Sequence, residues 1–291
     1  METDDGSLGA AVRLAAGLLA GVGRIEFAGP GRPADIVHTV GDVTTRPASA
    51  HRVYTVERVP LRYGRLVADR SWVRRQRRRC GTDSMLLAHG RTAARLVVAA
   101  RLALGERVHC VPVVSPLYSD TARESASRSQ VRDRLGLRPG VRLVVCASGP
   151  DDDWCAAIER LDRPDVMVLP LRDEPLAGLL TAADLFVATG RDLLACNPAA
   201  AALAMNVPVV AVTTDSAADL VIPGRNGYVV PPRPAAVAHA VGAHLDASPG
   251  RTTVVRGDQA RRELRRLARG LLRVYEQVLT SSIGGRRGGR G

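Results

Sequence analysis

Short apolar runs rich in β-branched residues alternate along the chain with stretches rich in alanine and leucine. The runs predict strands at 34–41, 51–56, 84–88 and 107–112 in the first half, and at 141–147, 165–169, 184–188, 207–212 and 228–232 in the second. The stretches between them predict helices, among them 8–22, 60–79, 92–104, 130–135, 153–161, 174–182 and 198–205. Such alternation is typical of βαβ units, so the pattern predicts an α/β protein with mostly parallel sheets.

A polar, irregular stretch at 115–129 predicts a linker between two such sheets. We therefore expect a first lobe at 1–118, a second lobe at 119–257, and a closing segment at 258–291 that ends in a glycine- and arginine-rich, disordered tail. The closing helix carries leucines and valines on one stripe, which predicts that it packs back against a lobe. In folds of this type, ligands bind in the cleft at the carboxyl ends of the strands.

Composition narrows the chemistry that such a cleft can perform. All 41 basic residues among the 291 are arginine, and the formal net charge is +12. Without lysine there is no Walker-type phosphate loop, no Schiff-base lysine and no lysine general base. The five cysteines form no C-x-x-C pair, so we expect neither a metal site nor a disulfide framework. The apolar stretch 8–22 is too short for a membrane span and contains Arg13, so we expect a cytoplasmic protein.

Three segments of the second half carry a more specific signal. Residues 165–189 contain a strand, an acidic helix start and an Ala-Ala-Asp sequence leading into a strand; residues 202–211 are similar to the motif EAMAxGVPVVA; and residues 219–232 are similar to the turn EVVxxGxxGxLVPP. Weaker similarities lie at 35–38, 86–96 and 108–112. Together they resemble the family 4 glycosyltransferases of the GT-B fold.

The resemblance implies two Rossmann-like parallel-sheet lobes with a cleft between them and a C-terminal helix that packs back. It implies transfer of a sugar, hexosyltransferase-like, from a nucleotide-sugar donor to an unknown acceptor, without a cofactor or a metal. The family's two donor-site glutamates fall at Leu193 and Ala201, and neither can accept a hydrogen bond from a hydroxyl group through its side chain. A catalytically silent homologue that binds a partner transferase or a ligand is therefore the alternative.

A donor-binding region is predicted at the carboxyl end of the second lobe. Asn197 followed by Pro198 predicts a helix cap with outward-pointing backbone amides, which favours an anion site; the alternative is an ordinary helix cap. Thr189, Gly190 and Arg191 form the preceding loop, where Arg191 would supply positive charge unless it faces solvent. Ser148 and Gly149 follow the first strand of this lobe and complete the predicted nucleotide site.

Two further features concern the first lobe. His38 lies where the resemblance places a donor-contacting or acid–base residue, and the alternative is a buried structural histidine. The cluster Arg70–Arg79 predicts a basic helix face that is solvated, contacts anionic lipid at the inner face of the membrane, or binds a nucleic-acid backbone. Aromatic residues make up only 3% of the chain, which disfavours nucleic acid.

Overall fold

The structure, a computed structural model, describes residues 7–21, 23, 34–40, 51–62, 65–80, 84–113, 126–147, 153–171, 175–190, 192–194, 197–247 and 259–287. The predicted site residues Ser148, Gly149 and Arg191 lie outside them, as do most of the predicted linker and the last four residues of the tail.

The first lobe is built on a four-stranded parallel sheet. Its strands are β1 (Ile36–Val40), β2 (His51–Val56), β4 (Met85–His89) and β5 (Val108–Val111), in the order β1-β2-β4-β5. Helices α2 (Arg70–Cys80) and α3 (Arg91–Ala99) cover one face of this sheet. Helices α1 (Ser7–Gly21) and α9 (Gln259–Arg287) cover the other face.

The second lobe is built on a five-stranded parallel sheet. Its strands are β6 (Arg142–Ala147), β7 (Val166–Pro170), β8 (Leu185–Ala188), β10 (Val209–Val212) and β11 (Gly227–Val230), in the order β11-β10-β8-β6-β7. Helices α4 (Arg128–Arg134), α6 (Leu176–Ala182) and α7 (Pro198–Ala204) cover one face. Helices α5 (Trp154–Glu159) and α8 (Pro234–Ala247) cover the other, so each lobe has the three layers that the alternating pattern predicts.

The closing helix α9 packs on the first lobe, although it follows the second lobe in the chain. Leu267, Leu271, Val274 and Val278 are buried in one cluster with residues of α1 and of strands β1, β2, β4 and β5. This confirms the predicted C-terminal helix that packs back. The predicted boundaries at residues 118 and 257 stay predictions.

The predicted helix at 60–79 is wrong in its first half. Helix α2 begins only at Arg70, because the carboxylate of Asp69 accepts a hydrogen bond from the amide of Trp72 (2.9 Å) and caps the helix there. Residues Arg58–Pro60 instead form a short strand, β3. Similarly, α3 ends at Ala99 and not at 104, since Arg101 adopts a positive φ of 52° and the amide of Leu102 bonds the carbonyl of Val97.

Strand β3 of the first lobe pairs with strand β9 (Asp192–Leu194) of the second lobe, antiparallel. The pair is reinforced by Arg58, which contacts Asp192 at 3.3 Å. Leu193, at the centre of β9, is buried in the first lobe's cluster with Val59 and Trp72. A segment of the second lobe thus completes a hydrophobic core of the first.

A second inter-lobe contact lies at the start of α3. The carboxylate of Asp219 accepts hydrogen bonds from the amide and the hydroxyl group of Thr92, both at 2.8 Å. Gly90 precedes this turn with φ of 84°, and a Cβ there would come within 2.7 Å of Asp219 Oδ2. Only glycine therefore suits both the backbone conformation and the close approach of the second lobe.

Candidate functional site

The candidate site lies at the carboxyl ends of β8 and β10, on the side of the second lobe that meets the first. Thr189 and Gly190 follow β8, Asn197 precedes α7, and Asp215 follows β10. Thr189 is buried and its hydroxyl group donates to the carbonyl of Ala147 (2.8 Å), which ties the loop to the end of β6. The structure therefore brings together three of the residues predicted from the sequence and adds a fourth, Asp215.

The carboxylate of Asp215 accepts three hydrogen bonds that connect the segments of this site. One carboxylate oxygen accepts from the amide of Gly190 (2.8 Å), and the other accepts from the side-chain amide of Asn197 (2.6 Å) and from the amide of Ala217 (2.7 Å). Burial raises the pKa of Asp215, while the three donors act in the opposite direction. We call Gly190 N–H, Ala217 N–H and the Asn197 side-chain amide the N–H cradle.

Asn197 is a helix cap, and the amides predicted to be bare are not. Its side-chain oxygen accepts from the amide of Ala199 (2.8 Å), its carbonyl accepts from the amide of Ala200 (3.0 Å), and Pro198 has no N–H. This corrects the expected outward-pointing amides at the start of α7. The side-chain amide of Asn197 donates to the carboxylate of Asp215 and to the hydroxyl group of Ser216.

His38 lies in the core of the first lobe, 7% exposed. Its Nδ1 is 2.6 Å from the hydroxyl group of Tyr275 on α9, and its Nε2 is 2.7 Å from that of Thr55 on β2. Burial lowers the pKa of His38 to about 3 and raises that of Tyr275. Both ring nitrogens are engaged inside the protein, so these contacts favour the structural alternative; a catalytic role for His38 stays a prediction without support from its contacts.

His89 is a second buried histidine on the same face of the same sheet, at the end of β4. Its Nδ1 contacts the carbonyl of Pro112 at 2.6 Å, while its Nε2 has no hydrogen-bond partner among the described residues. Burial lowers its pKa to about 4, although the contact with Pro112 acts the other way. The ring is therefore neutral at pH 7.

These two histidines predict an acid-sensitive fold. An unfolded histidine takes up a proton near pH 6.5, whereas His38 and His89 resist it down to about pH 3 and 4, so stability is full above pH 6.5 and falls as the pH drops. Lowering the pH from 7.5 to 5 should reduce the unfolding free energy by about 2 kcal/mol for each of these two histidines. Urea unfolding at both pH values should show that His38→Gln removes about 2 kcal/mol of this loss.

The matched control for that measurement is His239→Gln, because His239 is exposed on α8. It should leave the acid sensitivity as in the wild type. Equal acid sensitivity of the wild type and His38→Gln would show that His38 is accessible to protons in the folded state.

The two positions at which the family resemblance expects glutamates are buried among apolar side chains. Leu193 lies in the core of the first lobe, and Ala201 lies on α7 in the core of the second lobe with no measurable exposure. A carboxylate at either position would have to be desolvated. The apolar surroundings of both positions therefore suit the leucine and the alanine that the chain carries there.

The predicted basic face is present on α2. Arginines 70, 74, 75, 77 and 78 are exposed, whereas Trp72 and Gln76 are buried on the opposite side. Arg77 donates to the carbonyl of Ala100 (2.6 Å), so part of this charge also fastens α2 to the end of α3. Among the described residues, no helix is long and apolar enough to cross a membrane, and no group of three potential ligands could hold a metal ion.

The second lobe is similar in sequence to a known family. Residues 125–247 match the family described as glycosyl transferases group 1, and this segment contains the whole N–H cradle and Asp215. No curated protein sequence matches the chain.

Several solved structures are similar to this chain in fold. A glycosyltransferase from Rickettsia africae is 13% identical with a TM-score of 0.58, over 96% of this chain and 84% of that one. Anabaena Alr3699/HepE in complex with UDP is 15% identical with a TM-score of 0.56, over 94% and 84%. Sucrose-phosphate synthase from Thermosynechococcus elongatus is 14% identical with a TM-score of 0.53, over 95% and 76%.

The fold is therefore the GT-B fold of glycosyltransferases. The match of residues 125–247 to the group 1 family confirms the resemblance to the family 4 glycosyltransferases. That resemblance was drawn from the motifs at 165–189, 202–211 and 219–232.

Proposed function

We propose that the protein is a glycosyltransferase that moves a sugar, hexosyltransferase-like, from a nucleotide-sugar donor to an acceptor hydroxyl group. In this reaction the bond between the anomeric carbon and the diphosphate breaks, a bond to the acceptor oxygen forms, and a nucleoside diphosphate leaves. The observation that carries the proposal is that residues 125–247 match the group 1 family and that Thr189, Gly190 and Asn197 lie together at the carboxyl ends of strands in this segment.

The proposed donor site has the following parts. Thr189, Gly190 and Asn197 lie at this end of the sheet and would line the diphosphate, whose negative charge grows as the bond to the sugar breaks. We assign Ser148, Gly149 and Arg191 to the same site, as the sequence predicts, with Arg191 as the positive charge. Alr3699/HepE, which has a similar fold, is in complex with UDP, and this supports binding of a nucleotide by this chain.

A thermal-shift measurement with UDP, GDP and ADP tests this proposal. One of them should raise the melting temperature, because a ligand that binds only the folded state stabilises it. Arg191→Ala should abolish the shift, whereas Arg138→Ala, which removes an exposed arginine from a turn of the same lobe, should preserve it. No shift with any of the three would contradict a nucleotide site.

A second candidate, a catalytically silent homologue, is favoured by one observation: the burial of Leu193 and Ala201 where the family resemblance expects glutamates. Such a protein would act by binding a partner transferase or a ligand. Absence of nucleotide binding together with co-purification of another glycosyltransferase would support it. Turnover of any nucleotide-sugar would exclude it.

We also propose a peripheral contact of the first lobe with an anionic membrane. The exposed arginines of α2 would face lipid phosphates, and Leu66 and Val67, both exposed, lie just before this helix. In sedimentation with vesicles of anionic lipid, the wild type should pellet with the vesicles. A variant with Arg74 and Arg75 changed to glutamine should stay in the supernatant. Equal binding to neutral vesicles would contradict the proposal.

A further inference from the structure

Strand β9 belongs to the chain of the second lobe, but its partners lie in the first lobe. Among the described strands it pairs only with β3. The carboxylate of Asp192 contacts two residues of the first lobe: Oδ2 lies 3.3 Å from Nε of Arg58, and Oδ1 accepts a hydrogen bond from the amide of Leu61 (3.3 Å). Leu193 is buried in the first lobe's hydrophobic cluster. The first lobe therefore supplies partners for the backbone and for two side chains of this strand.

The residues on either side of β9 are bound to the second lobe. The amide of Gly190 donates to Asp215 (2.8 Å), and its carbonyl accepts from the hydroxyl group of Thr214 (3.0 Å). After the strand, the side-chain amide of Asn197 donates to Asp215 (2.6 Å). Gly190 and Asp192 are two positions apart, and two residues span at most about 7 Å when fully extended. The chain therefore passes from one lobe to the other over a distance that it has little freedom to lengthen.

A second connection between the lobes lies at the start of helix α3. Gly90 occupies the cap position of this helix and has no side chain to accept a hydrogen bond from the first turn. Asp219 of the second lobe accepts instead, from the amide and from the hydroxyl group of Thr92, both at 2.8 Å. A side-chain oxygen bonded to an amide of the first turn is what a capping residue provides. Helix α3 thus receives from the second lobe the cap that its own segment lacks.

We infer that β9 is a strap that holds the two lobes together, that Asp219 forms a second connection, and that the lobes separate only when both are released in one event. The chain between Gly190 and Asp192 cannot lengthen, so movement of the lobes apart must pull β9 away from β3 or Gly190 away from Asp215. The 3₁₀ turn that ends at Asp219 follows Asp215 directly, so the same movement draws Asp219 away from Thr92. The two connections are thus joined through one short segment of the second lobe.

The strap also connects separation of the lobes to the proposed donor site. Gly190 and Asn197 lie on either side of β9, and both belong to that site. Separation of the lobes therefore disturbs the positions of these residues, and the importance of this for a nucleotide-sugar rests on the proposed function. The strap itself does not, because it consists of contacts between protein groups alone.

Hydrogen exchange of the full chain without nucleotide, followed by mass spectrometry, tests the inference with two variants. Asp219→Ala removes the cap of α3, and Asp192→Ala removes the contacts with Arg58 and Leu61. Because the two connections open together, each variant should speed amide exchange about fivefold both in β3 and β9 and at the start of α3. Amides of β8 and β10, inside the sheet of the second lobe, should exchange as in the wild type.

The matched control is Asp133→Ala, which removes an exposed carboxylate from α4 of the second lobe and should leave exchange unchanged in all three places. If Asp192→Ala does not fold, Asp192→Asn replaces it, since it keeps an oxygen for the amide of Leu61 but loses the charge that faces Arg58. Faster exchange confined in each variant to its own connection would overturn the inference. Faster exchange at both connections, in a protein whose melting temperature no nucleotide raises, would uphold the inference and contradict the proposed function.

Discussion

Leu193→Glu is expected to lower the unfolding free energy by at least about 3 kcal/mol, although glutamate is the residue that the family resemblance expects at this position. Leu193 is 2% exposed and lies among Val59, Trp72 and other apolar side chains of the first lobe. A carboxylate there would lose its hydration and would have no partner among these side chains. The substitution should therefore also separate β9 from β3 and loosen the contact between the lobes.

Urea unfolding and small-angle scattering measure both effects. Leu193→Met is the matched control, because a volume-conserving apolar change costs less than about 1.5 kcal/mol and should preserve the pairing of β9 with β3. A Leu193→Glu protein as stable and as compact as the wild type would show that residue 193 faces the cleft. In that case the donor-site carboxylate could be restored by a single substitution.

Asp184→Ala is expected to cost about 3–5 kcal/mol, because it removes the shared partner of two partly buried arginines. Asp184 contacts Arg128 at 2.5 Å and Arg132 at 3.3 Å, and it accepts from the amide of Leu143 (2.8 Å). Its side chain is 6% exposed. Both arginines belong to α4, so the loss should release the first helix of the second lobe from its sheet.

The comparison for Asp184→Ala is Asp165→Ala. Asp165 forms an ion pair with Arg163 (3.0 Å) on the surface, where solvent screens the interaction, so its removal should have a much smaller effect. Urea unfolding should show a clearly larger loss of unfolding free energy for Asp184→Ala than for Asp165→Ala. Equal losses would show that burial of Asp184 does not govern its contribution.

The sequence predicted the two parallel sheets and the packing of α9 because each depends on local periodicity. Strands buried on both faces read as apolar runs, and α9 carries a regular apolar stripe. Strands β3 and β9 were missed because each has three residues and its partner lies more than 130 positions away. Nothing in such a short segment distinguishes a strand from a turn until the other lobe is in place.

The candidate site was predicted less completely. Asn197 followed by Pro198 has a local cap signature, and the structure shows that cap. Asp215 has only a weak signal, an acidic residue before a short helical segment, and its contact with Gly190 depends on the order of strands in the sheet. His38 could not be assigned from sequence because its partners Thr55 and Tyr275 come from another strand and from the closing helix.

Transfer of a sugar from a nucleotide-sugar, as we propose for this chain, releases a nucleoside diphosphate from the donor. Release of nucleoside diphosphate from a panel of UDP-, GDP- and ADP-sugars by the full chain, followed by chromatography, tests it most directly. We expect release from one class of donor above the protein-free background, and loss of that release in Arg191→Ala. A chain that releases none of the three diphosphates, under conditions in which it is folded, would contradict it.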